Sequence, residues 1–450
     1  MTLNRRDWLG VAFGGAALSL SNDNLWAEEA RRAAPLTITG MKVTPIALPD
    51  PPILAAGGCH GPYFLRNVLQ LETDAGIVGI GETRGGQRLT DALEKAKALV
   101  IGKNAFAYRA FAKELTALNP ACYAGVELAC LDACGKATGR RLCELLGGPL
   151  SAEVEFSAYL FYRYAADHPA ILADKRIVDN RGKGDKALDD WGEVRTPQAM
   201  VEEAVRFHKQ WGFRNFKLKA GVLSPDAELE TMKGMQARFG GQYPLRIDPN
   251  GRWKVDTAIR IGKQLRDLNL EYYEDPVVGQ EDMAAVRKAT GLPMSTNMCV
   301  TRFEHVPDAV RLQPVDFVLC DHHGWGGIPA CQELGRICET FGWVMSQHSN
   351  NHAGITMAAM IHVGAICPSL TAASDTHYVW LIDSADIITG GKLPIRDGKM
   401  KVPTAPGLGV ELDLDQLARA HETYRKCGMR ERDDAATMRM VEPGWERNLF

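Results

Sequence analysis

Seven polar side chains recur along the middle of this sequence at nearly even steps: Lys217, Lys219, Asp248, Glu274, Asn297, Asp321 and His348. From Lys219 onward the steps are 29, 26, 23, 24 and 27 residues. Asp248, Glu274 and Asn297 form an oxygen-only donor set. That set suits a hard cation such as Mg2+, which takes few protein ligands and leaves positions open for substrate oxygens. Lys217 and Lys219 are one residue apart, so on a strand both project to the same face. Two ammonium groups side by side lower each other's pKa, and one of them can then act as a base. Asp321 stands one step before His348, where a carboxylate fixes the imidazole tautomer and raises its basicity. One acidic residue alone reads as a helix cap, and one histidine alone as a satisfied core residue. In register they describe one chemistry. A carboxylate substrate chelates the metal, a base removes the α-proton, and the enediolate is held. An acid on the other face then returns a proton to the α-carbon or helps a β-hydroxyl leave.

These residues need elements that bring them to one place. Each ends a short apolar run: Phe216 to Lys219, Leu245 to Asp248, Tyr272 to Glu274, Met294 to Asn297, Phe317 to Asp321 and Val344 to His348. Helical stretches lie between them, among them Pro197 to Gln210, Asp256 to Leu268, Met283 to Thr290 and Ile328 to Phe341. Each step is one strand plus one crossover helix. An open sheet brings few strand ends to its crevice, whereas a closed barrel brings all of them to one rim. The expectation is therefore a barrel over residues 157–402. Before it, alternating runs with a hairpin turn at Asp74-Ala-Gly, then a helical period from Asp91 to about Leu146, predict a small α+β domain over 36–156. Residues 403–450 look short and irregular, and are expected to pack back on that domain.

Composition is that of an ordinary globular chain, with 46% hydrophobic and 24% charged residues and a net charge of −3 over 450 residues. No basic stripe points to a nucleic-acid partner. The start, Asn4-Arg-Arg-Asp-Trp-Leu-Gly followed by the apolar Val11 to Leu20, has the order of a twin-arginine export signal ending near Ala27. It predicts a periplasmic protein, or a cytoplasmic one if the signal is not used, with no membrane anchor after its removal. The eleven cysteines form no zinc pattern and are expected as buried free thiols.

Several blocks go further. Phe216-Lys-Leu-Lys-Ala-Gly, Arg246-Ile-Asp-Pro-Asn-Gly-Arg-Trp and Tyr273-Glu-Asp-Pro resemble the mandelate racemase branch of the enolase superfamily. Ser295-Thr-Asn-Met-Cys-Val-Thr, Cys320-Asp-His-His-Gly-Trp-Gly-Gly, Gln347-His-Ser-Asn-Asn-His-Ala-Gly-Ile, Ser374-Asp-Thr-His-Tyr, Arg432-Asp-Asp-Ala and His60-Gly-Pro-Tyr-Phe-Leu-Arg-Asn are similar to its glucarate dehydratase group. The resemblance spans roughly residues 36–450. It implies a (β/α)7β barrel of modified TIM type, with an α+β cap completed by the C-terminal segment. It implies Asp248, Glu274 and Asn297 as Mg2+ ligands, and Lys219 and His348 as the acid/base pair with Asp321 behind His348. For the substrate it implies His60, Tyr159, Lys217, Asn250, Ser349, Asn350, His377 and Arg432. The implied reaction is dehydration of a small acid sugar, an aldarate such as D-glucarate or a stereoisomer, to a keto-deoxy acid. The alternatives are a racemase or epimerase on the same framework and an inactive periplasmic sugar-acid binding protein. A homo-oligomer is expected. The long polar stretch from Tyr162 to Thr196 departs from the group and is expected as a loop near the first barrel strand.

Overall fold

The computed structural model describes residues 35–178 and 192–450. The export-signal expectation at 1–27 lies outside the described residues, as does the polar run Asp179 to Asp185.

The chain opens with an antiparallel sheet. Strand β1 (Ile38–Pro49) is followed by the short pair β2 (Leu54–Ala55) and β3 (Gly58–Cys59), then by β4 (Tyr63–Thr73) and β5 (Val78–Arg84). β4 lies between β1 and β5, and the Asp74-Ala-Gly turn makes the expected hairpin. The expected helical region is broken into several pieces, the longest Pro120–Thr138, where Asn119 caps and Pro120 opens the helix. That helix lies directly on β5. A Cβ at Gly79 would meet Ala129 O at 2.1 Å, and one at Gly81 would meet Gly125 O at 2.3 Å. The period of two then turns Ile80, Glu82 and Arg84 to the opposite face, toward the barrel.

The barrel strands are β6 (Glu153–Phe161), β7 (Phe216–Lys219), β8 (Leu245–Asp248), β9 (Leu270–Glu274), β10 (Met294–Thr296), β11 (Phe317–Cys320), β12 (Val344–Gln347) and β13 (Ser374–Thr376). They run parallel in the order β12-β11-β10-β9-β8-β7-β6-β13. A helix follows each of β6 to β12, which is the (β/α)7β pattern. No backbone ladder is present between β12 and β13. Side chains close that seam instead: Ser346 Oγ donates to Ala373 O (2.8 Å) and Gln347 Nε2 to Ser374 Oγ (2.9 Å). β14 (Lys399–Lys401) adds an antiparallel edge to the start of β6.

The tail is more regular than expected. It carries two helices, Leu414–Cys427 and Asp434–Val441. The first buries Leu417, Ala420 and Tyr424 and lies along β1, so the tail does complete the cap. Arg432 falls in the link between the two. The Tyr162–Thr196 stretch is not wholly a loop either, since it contains a helical turn, Pro169–Leu172, and Arg163 bridges to Val194.

One buried network joins the cap to the barrel. Glu82 Oε1 accepts from Arg66 Nε (2.7 Å) and Ala353 N (2.9 Å), and its Oε2 accepts from Thr356 N (2.8 Å). The last two are free N–H groups at the start of helix Gly354–Ile366, so a cap carboxylate caps a barrel helix. Glu82→Ala should lower unfolding stability by about 3–5 kcal/mol, because it leaves a buried guanidinium unpaired. Denaturant titration against wild type checks this, and an unchanged midpoint would contradict it.

Candidate active site

Register brings the ladder to one level. Lys219 of β7 pairs with Phe161 of β6 and Asp248 of β8, and Glu274 of β9 pairs with Ser295 two residues before Asn297. Asn297, Asp321 and His348 follow directly after β10, β11 and β12, on the same C-terminal rim. A cavity of about 650 Å3 opens there. Its wall includes Lys219, Asn250, Asn297, Asp321 and His348, and also Tyr159, Ser349, Asn350, His377, His60 and Arg432. Lys217, Asp248 and Glu274 are fully buried beneath its floor.

The floor is an ionic cluster. Lys217 Nζ lies 2.5 Å from Glu274 Oε2 and from Asp375 Oδ2, and 3.7 Å from Asp248 Oδ2. Lys219 Nζ lies 2.5 Å from Asp248 Oδ2. Lys217 does press on Lys219, but the expectation of a net lowered pKa is overturned. Burial does press on both ammonium groups, but Asp375 and Glu274 raise Lys217 well above its ordinary pKa, and Asp248 raises Lys219. Opposite charges at contact distance outweigh a like charge one residue away. Tyr159 covers the pair, its ring centroid 5.0 Å from Lys217 Nζ and 5.6 Å from Lys219 Nζ. Burial pushes its phenol up to about 12.

Asp248, Glu274 and Asp375 crowd Lys217 and Lys219 out of water, the buried Arg246 guanidinium lies 3.5 Å from Asp375, and burial, then Asp248, push the Glu274 carboxyl well above its usual range. Both Glu274 oxygens and Asn297 Oδ1 are buried without a hydrogen-bond partner among the described residues, and the Lys217–Glu274 contact is an ion pair lacking hydrogen-bond geometry. Uncompensated buried acceptors are costly. With Asp248 they make the oxygen donor set that a hard cation satisfies, so these residues fit Mg2+. Asp275 builds this corner: its carboxylate accepts from Thr296 Oγ1 (2.5 Å) and Asn297 N (2.8 Å), fixing the turn that carries Asn297. Burial and Asp248 raise the Asp275 carboxyl to about 7.

Across the cavity, His348 Nδ1 faces Asp321 Oδ2 at 3.3 Å. Burial lowers the His348 pKa and Asp321 works against that. Asn350 Nδ2 donates to the same oxygen (3.3 Å). Ser349 Oγ accepts from His377 N (2.9 Å) and bonds His352 Nε2 (3.1 Å), so it positions the loop that carries His377. His377 stacks on His60 at 5.7 Å, and burial with that neighbour holds it well below its ordinary pKa. His60 Nδ1 lies 3.3 Å from Asp50, and Arg432 forks onto Asp434 with both distances 2.6 Å. Asn250 takes the left-handed φ of 56° that brings its backbone N–H onto Asp248 Oδ1 (2.9 Å).

Three groups were missed by sequence reasoning. Asp375 stands 27 residues after His348, one more step of the same ladder, so the spacing did contain it. Asp275 directly follows Glu274. Arg84, on the cavity wall with its Nη2 2.8 Å from Asp321 Oδ2, had no signal, because it comes from the cap. Asp321, His322 and His323 bring ligand atoms within 4.8 Å of one another. Arg84 on Asp321 and Arg66 3.4 Å from His323 make that corner cationic, so it does not suit a metal.

Residues 42–147 match the mandelate racemase / muconate lactonizing enzyme N-terminal domain, and residues 199–416 match the enolase C-terminal domain-like family. The chain belongs to the mandelate racemase branch of the enolase superfamily. It is 40% identical over 437 residues to a probable glucarate dehydratase of Streptomyces coelicolor, covering 91% of this chain and 97% of that protein. A Pseudomonas fluorescens enolase crystallised with magnesium, potassium and tartrate is 40% identical, with a TM-score of 0.85 over 92% of this chain and 99% of that one. A Thermobispora bispora enolase crystallised with magnesium and formate is 38% identical, with a TM-score of 0.84 over 92% and 100%.

The metal assignment has a direct test. Asn297→Ala should weaken Mg2+ binding by about tenfold or more in calorimetric titration of the purified protein, with an unchanged circular dichroism spectrum. Wild-type affinity in the variant would remove Asn297 from the site.

Proposed function

We propose that this protein is a Mg2+-dependent hydro-lyase that dehydrates an acid sugar, an aldarate such as D-glucarate or a stereoisomer, to a keto-deoxy acid. One observation carries the reading. Lys219 and His348 stand on opposite walls of a single cavity, five strands apart in an eight-stranded barrel, with Asp248, Glu274 and Asn297 on the strands between. The likeness to the Streptomyces coelicolor probable glucarate dehydratase and to the tartrate complex supports an acid-sugar substrate.

Asp248, Glu274 and Asn297 would hold the Mg2+, which supplies positive charge against the second negative charge of an enediolate. The protein's own groups do the proton work. His348 Nε2, its pKa lowered by burial, can take the α-proton as it stands. Lys219 Nζ can take it only after giving up the proton that Asp248 holds on it. Either way the C–H pair becomes the enediolate double bond. The opposite group protonates the β-hydroxyl, the C–O bond breaks and water leaves. The enol then tautomerises to the ketone. Asp321 keeps His348 in one tautomer, with Nδ1 toward the carboxylate and Nε2 toward the cavity. Tyr159 excludes water from above the lysines. Arg432 and His60, at the cavity's far end, suit the second carboxylate and the hydroxyls of an aldarate.

The twin-arginine start supports export to the periplasm, and all eleven thiols are buried and unpaired, which suits a chain that folds before it is exported. Cell fractionation tests that part.

Incubating the purified protein and Mg2+ with a panel of acid sugars should give a semicarbazide-reactive keto product from at least one. Solvent deuterium uptake without keto product would instead mean epimerisation. Lys219→Ala and His348→Asn should each cut turnover by about 100-fold or more while the fold is kept. Full activity in either would remove that residue from the mechanism.

A further inference from the structure

Arg84 ends β5, so it belongs to the cap, yet it reaches the cavity wall and lies against the acid/base machinery. Its side chain is 48% exposed, and its Nη2 sits 2.8 Å from Asp321 Oδ2. That oxygen is the one that faces His348 Nδ1 at 3.3 Å and Asn350 Nδ2 at 3.3 Å. The other oxygen, Oδ1, is occupied by His323 N (2.9 Å) and His323 Nδ1 (3.1 Å). Arg84 therefore makes the shortest of the contacts on Asp321 Oδ2, at the point where Asp321 meets the histidine. We propose that Arg84 is a positioning residue of the acid/base reaction, tying Asp321 from the cap and so setting how firmly Asp321 orients and charges His348.

The pair has no structural need to exist. An exposed single-contact ion pair adds little to stability, and β5 is already pinned two residues earlier by the buried Glu82–Arg66 network. Its effect falls on the dyad. Asp321 faces His348 from the end of β11, with His323 and Arg84 behind, and Lys217 and Lys219 act from β7. His322, His352 and Arg66 lie beyond, and burial lowers both imidazoles. Asp321 would be raised by burial, but Arg84 first, then the bonds to His323 and His348, hold it well below the usual carboxylate range. It stays an anion wherever His348 titrates. What varies is how much of that anion the imidazolium sees, and Arg84 takes a share. A less favoured imidazolium exchanges its proton more readily near neutral pH, which suits an acid/base group. Because Arg84 is a cap residue, this acidity depends on the cap being seated.

This inference rests on the dehydratase reading, and its test separates the two. Arg84→Gln and Arg84→Lys are made in the full-length protein and loaded with Mg2+. His348 is titrated by NMR in 15N-histidine-labelled protein, its signal identified as the one missing in His348→Asn. Arg84→Gln should raise the His348 midpoint by about half to one pH unit, since Asp321 then stabilises the imidazolium undivided. Arg84→Lys, which keeps the charge, should stay within about 0.2 of wild type. With the acid sugar that wild type turns over, Arg84→Gln should lower kcat by about tenfold and change KM by less than about threefold. An unmoved His348 midpoint in Arg84→Gln overturns the proposal. So does a raised KM with kcat and midpoint intact, which would make Arg84 a substrate ligand. Should wild type dehydrate no acid sugar, the dehydratase reading fails, and the NMR titration alone still decides the role of Arg84.

Discussion

Lys217, Lys219 and the Arg246 guanidinium share the buried floor of this barrel with Asp248, Glu274 and Asp375, and the rest of the site is arranged around that ionic cluster. Asp248, Glu274 and Asp375 surround Lys217, and Asp248 also pairs with Lys219, all but out of contact with water. An ionic cluster this deep is costly unless its charges are matched. The oxygens of Glu274 and Asn297, buried and unpartnered beside Asp248, make the floor a fit for a hard cation. Asn297 offers its oxygen without adding charge, as a carboxylate in its place would.

The same cluster divides labour between the lysines. Lys217 is locked between Glu274 and Asp375 and never reaches the cavity wall, while Lys219 meets one carboxylate and the open space. Lys217 is thus held in the floor, while Lys219 borders the cavity. The wall opposite is built from loops, and loops need support. Glu82 and Arg66 hold the Ala353–Thr356 turn, Ser349 holds His377, and Asp321 gathers His323, His348, Asn350 and Arg84. Much of that support comes from the cap, so the acid/base face exists only when the two layers are seated together.

Much of this was legible in the chain. The ladder's steps announced a strand and a crossover helix each time, and all six strands that carry it end within one residue of the expected position. Asn297 made the proposed metal site two carboxylates and an amide. The reading failed where charges from distant segments meet. Lys217 and Lys219 were read as a like-charge pair, because nothing local shows Asp375 arriving 158 residues later on β13. Helix breaks at Asn119-Pro120 and the two tail helices were underread for a simpler reason: caps and short amphipathic turns give weak periodicity.

The sequence by itself determined the barrel, the order of its polar strand ends and the donor types at the metal, since all three follow from local periodicity and from residue chemistry repeated at a fixed step. Only the tertiary structure decided which charges neutralise which. That Asp375 and Glu274 hold Lys217, that Lys219 answers to Asp248, and that a cap arginine lies on the carboxylate behind His348 are facts of closure and of domain seating. Electrostatic energy depends on distance through space, and the barrel brings together residues that the chain keeps far apart.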